Sequence, residues 1–235
     1  MKTQKNKIMN KYAVSDIHGC LKTFKALLKK INFTKEDQLY ILGDYIDRGP
    51  HSKGVFDYIL ELQNEHFQIF CLRGNHDQMM LDAIHSMKWQ RNWLQNGGWT
   101  TVESFDAKLF SDIPMQYFDF IKEMPYYIEV DNYILVHAGF SFDMPNPFDE
   151  LHSMLWQRNW YDKINYHWLQ DRMIIHGHTP TSKEDVKVML SNFNKTQYLN
   201  IDTGCVYKGR MKGLGYLTCF DLGKKKLIFQ ESLDS

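Results

Sequence analysis

Five short apolar runs in this chain each stop at side chains that can hold a metal ion, and this coincidence restricts the fold more than any other feature of the sequence. The runs are Tyr12-Ala13-Val14, Leu39 to Leu42, Phe67 to Leu72, Tyr133 to Val136 and Met173-Ile174-Ile175. β-branched and aromatic residues dominate them, so each reads as a short buried strand rather than a turn of helix. The metal-capable residues that follow are Asp16, His18, Asp44, Asn75, His76, His137 and His178. With the runs paired as strands, these polar side chains gather along one edge of a sheet.

From Tyr12 to about Met87 strands alternate with helices. Leu21, Phe24, Leu27, Leu28 and Ile31 form one amphipathic stretch, and Val55, Tyr58, Ile59 and Leu62 recur at helical spacing in a second. The pattern is β-α-β-α-β. Between about 77 and 123 the apolar residues keep a helical period but are broken by Asn96-Gly97-Gly98 and by Pro114, which predicts a helical insertion. Strands return at Tyr126 to Val130, Tyr133 to Val136, Met173 to Ile175, Tyr198 to Ile201, Tyr216 to Phe220 and Lys226 to Gln230. The expected fold class is α/β (α+β), two packed mixed sheets flanked by helices, with the active site at the C-terminal ends of the strands. No Gly-, Pro- and Ser-rich linker divides the chain, so residues 12–235 are expected to form one domain behind a polar, lysine-rich tail at 1–11.

At 235 residues and 43% hydrophobic content the chain can bury a substantial core. Its 28 basic and 28 acidic residues cancel, leaving no whole-molecule field to capture nucleic acid or an anionic membrane, so neither is expected as a partner. Phosphate recognition would have to come from local arginines. Cys20, Cys71, Cys205 and Cys219 form no Cys-x-x-Cys pair and read as reduced core thiols, with the cytoplasm as the default location. No stretch has the length and apolarity of a signal peptide or a membrane span. The pentapeptide Trp-Gln-Arg-Asn-Trp occurs at 89–93 and again at 156–160, too short to imply a repeat architecture.

In an extended segment residues two apart point the same way, so Asp16 and His18 can grip a single ion, and Gly19 lets the chain turn close to it. Asp44 follows the second strand in Gly43-Asp44-Tyr45-Ile46-Asp47-Arg48-Gly49-Pro50, where Asp47 can orient a neighbour and Arg48 offers a planar fork to phosphate oxygens. Arg73-Gly74-Asn75-His76-Asp77 adds an arginine, an amide oxygen and an imidazole in succession. His137-Ala138-Gly139 and His176-Gly177-His178-Thr179-Pro180 end two further strands. Singly these are weak signals, because an aspartate at a strand end commonly caps a helix and a lone histidine there is more often structural. Their repetition at five strand ends favours a two-metal hydrolase.

The ordered blocks Asp16-x-His18, Gly43-Asp44-x-x-Asp47-Arg48-Gly49, Gly74-Asn75-His76, His137-Ala138-Gly139 and Gly177-His178-Thr179-Pro180 resemble the phosphoprotein phosphatase family of calcineurin-like metallophosphoesterases, and within it the bacterial and phage serine/threonine phosphatase branch. Trp93 to Gly98 and Ile201 to Gly204 also resemble segments of that branch, so the likeness runs from about Tyr12 to Phe220. It implies the calcineurin-like fold, with a first divalent metal held by Asp16, His18 and Asp44, and a second by Asp44, Asn75, His137 and His178. Mixed nitrogen and oxygen ligands without thiolate suit manganese first, with iron or zinc as alternatives. The implied reaction is in-line attack on phosphorus by a hydroxide bridging two ions about 3.5–4 Å apart. Arg48, Arg73 and Arg158 would hold the phosphate, and His76, oriented by Asp47, would protonate the leaving alcohol. Arg158 is preferred to Arg91 of the other pentapeptide because it lies between the His137 and His178 blocks.

Ser15, Asp77 and Ala138 depart from residues usual elsewhere in the family. Pro180 stands where many metallophosphoesterases carry a second histidine, which argues against the cyclic-nucleotide phosphodiesterase and nuclease branches. His176 matches no ligand position and reads as structural. Trp89, Trp93 and Trp99 could line a substrate groove or pack the helices together, and helix packing is the expectation. The expected substrate is a phosphoprotein or a phosphorylated small molecule. The nearest rival is hydrolysis of diadenosine polyphosphates, whose symmetrical hydrolases share the blocks but typically replace the Asp-Arg pair intact here at Asp47-Arg48. A non-catalytic scaffold would be expected to have lost ligands, and none is missing.

Overall fold

The computed structural model describes residues 9–234. Two sheets carry the chain, and their strands arise where apolar runs were read. In the first, β1 (Lys11–Val14), β2 (Gln38–Ile41) and β3 (Gln68–Cys71) are parallel, while β8 (Tyr216–Asp221) and β9 (Lys226–Glu231) complete it antiparallel in the order β3-β2-β1-β8-β9. The second runs β4-β5-β6-β7, with β4 (Tyr127–Val130) antiparallel to β5 (Tyr133–Val136), and β6 (Met173–His176) and β7 (Tyr198–Asn200) parallel to it. This is the predicted pair of mixed sheets.

The period of two along each strand separates three apolar layers. Leu39 and Ile41 of β2 face α1 (Leu21–Lys30) and α2 (Ser52–Asn64), joining Phe24, Leu27, Val55 and Ile59. Tyr40 and Leu42 point the other way into the layer shared by the sheets, with Leu135, Ile175 and Phe220. Ile134 and Val136 of β5 bury beneath Phe140, Met154 and Trp160 on the far side. Strands covered on both faces need no polar alternation, which explains why their runs are continuously apolar.

Helices α3 (Asn75–Asp82), α4 (Met87–Trp93), α5 (Trp99–Ser104) and α6 (Met115–Lys122) follow β3 where the helical insertion was expected. The break read at Asn96-Gly97-Gly98 is a kink between α4 and α5, with Gly97 in a non-helical conformation at φ 111°. Trp93 is buried as predicted, but Trp89 and Trp99 are half exposed and pack no core. Of the expected tail, residues 1–8 lie outside the described residues. Asn10 is tied by its backbone and side chain to Asp37 at 3.1 and 2.8 Å, and Lys11 already belongs to β1.

Helices α7 (Leu151–Trp156), α8 (Tyr166–Leu169) and α9 (Lys183–Thr196) were not anticipated. α9 packs Val186, Met189, Leu190 and Phe193 on the shared layer at i, i+3, i+4 and i+7, a stripe obscured in the sequence by the exposed Val188 and by polar neighbours. Ser182 caps it by accepting from the backbone N–H of Asp185.

Phe220 closes the shared layer, edge-on to both Tyr133 and Phe193 at ring distances of 6.2 and 5.7 Å. Phe220→Ala should cost about 3–5 kcal/mol in urea denaturation, seen as a lower midpoint with an unchanged slope. A loss below ~1 kcal/mol would mean that the two sheets are not held by this layer.

Candidate metal centre

β1, β2, β3, β5 and β6 deliver their C-terminal loops to one place, where the protein backbone is forced into unusual conformations. Asp16, His18, Asp44, Asp47, Arg48 and His178 all have positive φ, between 45° and 71°. Left-handed backbone costs a residue with a Cβ roughly 1–2 kcal/mol, so these loops are held by their surroundings. The loops after β2 and β3 also touch: a Cβ on Gly43 would lie 2.5 Å from the Gly74 Cα, and one on Gly74 would lie 2.2 Å from Asp44 Oδ1. Only glycine permits that approach.

The carboxylate of Asp77 clamps the junction. Its Oδ2 accepts from the backbone N–H groups of Asp44 at 2.9 Å and Gly74 at 2.8 Å, while Oδ1 accepts from Tyr45 N at 3.3 Å. Burial, aided by the charge of Asp44, pushes Asp77 up to about 8. The sequence marked Asp77 only as a departure from the usual glutamate.

Two groups of donors meet at Asp44. The ligand atoms of Asp44, His18 and His76 lie within 4.8 Å of one another, as do those of Asp44, His137 and His178. Asn75 belongs with the second group, its Oδ1 lying 2.9 Å from His137 Nε2 and 2.8 Å from His178 Nδ1. Asp16, expected with His18 and Asp44, belongs to neither of these groups, His76 taking its place in the first; its Oδ2 accepts from the backbone N–H of His178 at 3.0 Å and from the hydroxyl of Ser15. All seven side chains are buried.

This donor set fits divalent cations. His18 and His137 spend their Nδ1–H on the carbonyls of Ile46 (2.7 Å) and Leu42 (2.8 Å), which leaves both Nε2 lone pairs facing the cluster. The Nε2 of His137 then confronts the oxygen of Asn75, lone pair against lone pair, a contact that a cation between them would relieve. Burial and then the negative charge of Asp16 raise Asp44 well above the usual carboxylate range. Asp202 is raised by the same two causes, although the sequence suggested only a strand-end motif for it. Burial lowers His178 to about 2 and His18 well below its ordinary value, so both imidazoles stay neutral and able to coordinate.

Two of the three expected arginines reach the cluster. Arg48 Nη1 lies 2.8 Å from His18 Nε2, and Arg158 Nε donates to His178 Nε2 at 3.1 Å. Arg73 does not join them. Its Nη1 donates to Gln78 Oε1 and the hydroxyl of Tyr126, its Nη2 donates to the carbonyl of Lys122 at 2.6 Å, and its charge sits over the Tyr126 ring. Adjacency to the Gly74-Asn75-His76 block suggested a phosphate ligand, whereas the acceptors at the end of α6 draw the side chain away. Arg91 is exposed on α4, and His176, buried and apart from the donor groups, lies 2.9 Å from the hydroxyl of Tyr161.

Beside the metal-capable groups, His76 Nδ1 lies 2.6 Å from Asp47 Oδ2. Burial raises Asp47 to about 7 and lowers His76 well below its ordinary value, so both shifts favour a pair with no net charge. Whether the shared proton resides on oxygen or on Nδ1, that neutral pair retains a hydrogen on Nε2. The Asp47 carboxylate also receives Trp93 Nε1 at 2.9 Å and Thr101 Oγ1 at 2.6 Å, two partners that sequence spacing did not reveal.

A two-sheet fold with histidine, aspartate and asparagine donors at its strand ends defines a metallophosphoesterase, and the chain belongs to the calcineurin-like phosphoesterase family, whose profile matches residues 9–212. It is a hydrolase of that family, which binds divalent metals. Among its relatives is serine/threonine-protein phosphatase 1 of Salmonella typhimurium, 30% identical over 216 residues covering 85% of this chain and 88% of that protein. Another is the asymmetrical bis(5'-nucleosyl)-tetraphosphatase PrpE of Anoxybacillus flavithermus, 28% identical over 234 residues and covering 86% and 89%. A serine/threonine phosphatase from Saccharomyces cerevisiae shares the fold with a TM-score of 0.66 at 14% identity, covering 99% of this chain and 82% of the other. So does the cold-active protein-tyrosine phosphatase of a psychrophilic Shewanella, with a TM-score of 0.60 at 14% identity and coverage of 96% and 81%.

Asp77→Ala strands the N–H groups of Asp44, Gly74 and Tyr45, and should lower manganese affinity about 10- to 100-fold in calorimetric titration. An unchanged affinity would show that the clamp does not shape the donor set.

Proposed function

We propose that the protein is a metal-dependent phosphomonoesterase of the serine/threonine phosphatase type, acting on phosphoproteins or phosphorylated small molecules. Asp16, His18 and Asp44 would hold one divalent ion, and Asp44, Asn75, His137 and His178 a second, with manganese first and iron or zinc as alternatives. The ions, when bound, polarise the phosphoryl oxygens and make water a stronger nucleophile.

The chain's own residues supply the rest. Arg48 and Arg158 flank the donors and neutralise the non-bridging phosphoryl oxygens. Arg73, with its guanidinium tied to α6 and Tyr126, holds the loop after β3 rather than the substrate. His76 gives its Nε2 proton to the leaving oxygen, and Asp47 is left as the carboxylate that holds Nδ1–H.

The observation that carries this reading is the buried Asp47–His76 pair at 2.6 Å. A serine or threonine alkoxide is a strong base and leaves poorly without a proton, so its ester needs such an acid. A nucleoside polyphosphate expels a phosphate group, a far weaker base that departs unaided. The pair is therefore suited to the ester. The second reading, dinucleoside polyphosphate hydrolysis, is favoured by the relative of that activity, which aligns over 89% of its own length against 88% for the serine/threonine phosphatase relative.

Turnover of a phosphoserine peptide and of diadenosine tetraphosphate, compared at saturating manganese, separates the two. His76→Asn should lose about 10²- to 10⁴-fold in kcat on the peptide. A higher kcat/KM on the dinucleotide, unaffected by that substitution, would select the second reading. Asp44→Asn, which alters the donor common to both metal groups, should abolish turnover of both substrates. Chelation should abolish it as well and lower the Tm, because bound metal stabilises the native state. Full activity after exhaustive chelation would overturn the metal-dependent reading.

A further inference from the structure

The first copy of the duplicated pentapeptide is left unused by the catalytic reading, and it ends against Asp47, the partner of the acid. Trp93 is fully buried. Its ring packs so closely on Gly98 that a Cβ there would lie 2.6 Å from the indole, and it meets Phe110 edge-on at 5.4 Å. The ring is thus fixed before its N–H reaches Asp47 Oδ2 at 2.9 Å. On the other carboxylate oxygen, Thr101 Oγ1 donates at 2.6 Å, and the same hydroxyl accepts from Asp47 N at 3.0 Å. The next residue is held by the same segment: Arg48 N donates to Gly97 O at 3.2 Å, where a Cβ would press within 2.9 Å of the Arg48 side chain.

We infer that residues 87–104 form a positioning element for the leaving-group step, in which Trp93 and Thr101 fix the rotation of the Asp47 carboxylate and thereby aim the Nε2–H of His76. The inference rests on the reading of His76 as the acid. An aspartate turns freely about two bonds, and a carboxylate held only by the imidazole would let the ring swing with it. Donors on both oxygens remove that freedom, and they come from a rigid indole and from a threonine already bonded to the Asp47 backbone.

In the step concerned, an oxygen from water bonds to phosphorus and the ester P–O bond breaks with its electron pair on the leaving oxygen. That oxygen takes the proton from His76 Nε2, and the proton released by water restores the Asp47–His76 pair. A misaimed acid slows this step in proportion to the basicity of the leaving oxygen. The element therefore fits the enzyme to poor leaving groups, meaning alkyl and simple aryl phosphate esters.

Trp93→Phe keeps the packing and removes the N–H. Thr101→Val keeps the shape and removes the hydroxyl, and Thr101→Ser restores it. The probes are phenyl phosphate, whose leaving group needs a proton, and p-nitrophenyl phosphate, whose leaving group scarcely does. At saturating manganese, Trp93→Phe and Thr101→Val should each lose about tenfold in kcat on phenyl phosphate, at least fivefold more than on the nitrophenyl ester, with KM little changed and Thr101→Ser recovering most of the loss. Trp160, the last residue of the second pentapeptide copy, gives its N–H to Ala138 O at 3.1 Å, so Trp160→Phe should affect both substrates alike.

Equal losses on both esters for Trp93→Phe and Thr101→Val, alongside a leaving-group-dependent loss in His76→Asn, would overturn the positioning role and leave the acid in place. A leaving-group-dependent loss in Trp160→Phe as large as that in Trp93→Phe would overturn it too. If His76→Asn itself shows no dependence on the leaving group, the acid assignment falls and the positioning role with it.

Discussion

The Asp77 carboxylate, accepting three backbone N–H groups across the gap between two strand ends, is the interaction on which the rest of the site depends. Asp44 belongs to both donor groups, and its place is set by the loop that Asp77 holds against Gly74. The close glycine contact keeps the loops after β2 and β3 in register with each other, and the layer between the sheets keeps β5 and β6 in register with β2. A small shift at this junction would move the shared donor relative to the histidines of both groups. A packed interior transmits such shifts because it has no slack to absorb them.

Much of the strand framework was legible because β1, β2, β5 and β6 are covered on both faces and therefore appear as uninterrupted apolar runs. The gathering of metal-capable side chains was legible for a related reason: each follows closely on its run, so Asp16, His18, Asp44, Asn75, His137 and His178 could be expected near one another from position. Direction was not legible. Arg73 follows a strand just as those residues do, yet its long flexible side chain turns to the acceptors around it, Gln78 five residues on and Lys122 and Tyr126 some fifty residues on. The supports of Asp47 were hidden likewise, since Trp93 and Thr101 are separated from it by 46 and 54 positions. α9 was harder to read because the exposed Val188 and a majority of polar residues obscure its stripe of Val186, Met189, Leu190 and Phe193.

The two pentapeptide copies show how little a short string determines. Both final tryptophans are buried, and both press an indole onto a glycine and give its N–H to a loop of the site, Trp93 to a carboxylate and Trp160 to a carbonyl. Their arginines diverge, with Arg91 out on α4 and Arg158 beside His178. The copies agree where packing dictates the outcome and differ where only solvent and charge do.

Six of the site's residues hold a left-handed backbone with side chains that make it costly. At roughly 1–2 kcal/mol apiece, their combined strain is comparable to the net stability of an ordinary domain. The fold bears this burden for the sake of the site, and replacing any of these residues with glycine or asparagine would relieve part of it. A lineage selected only for heat resistance, with no demand for turnover, would therefore lose its chemistry at the loop tips long before its strands changed, and would drift into a stable fold that has forgotten its reaction.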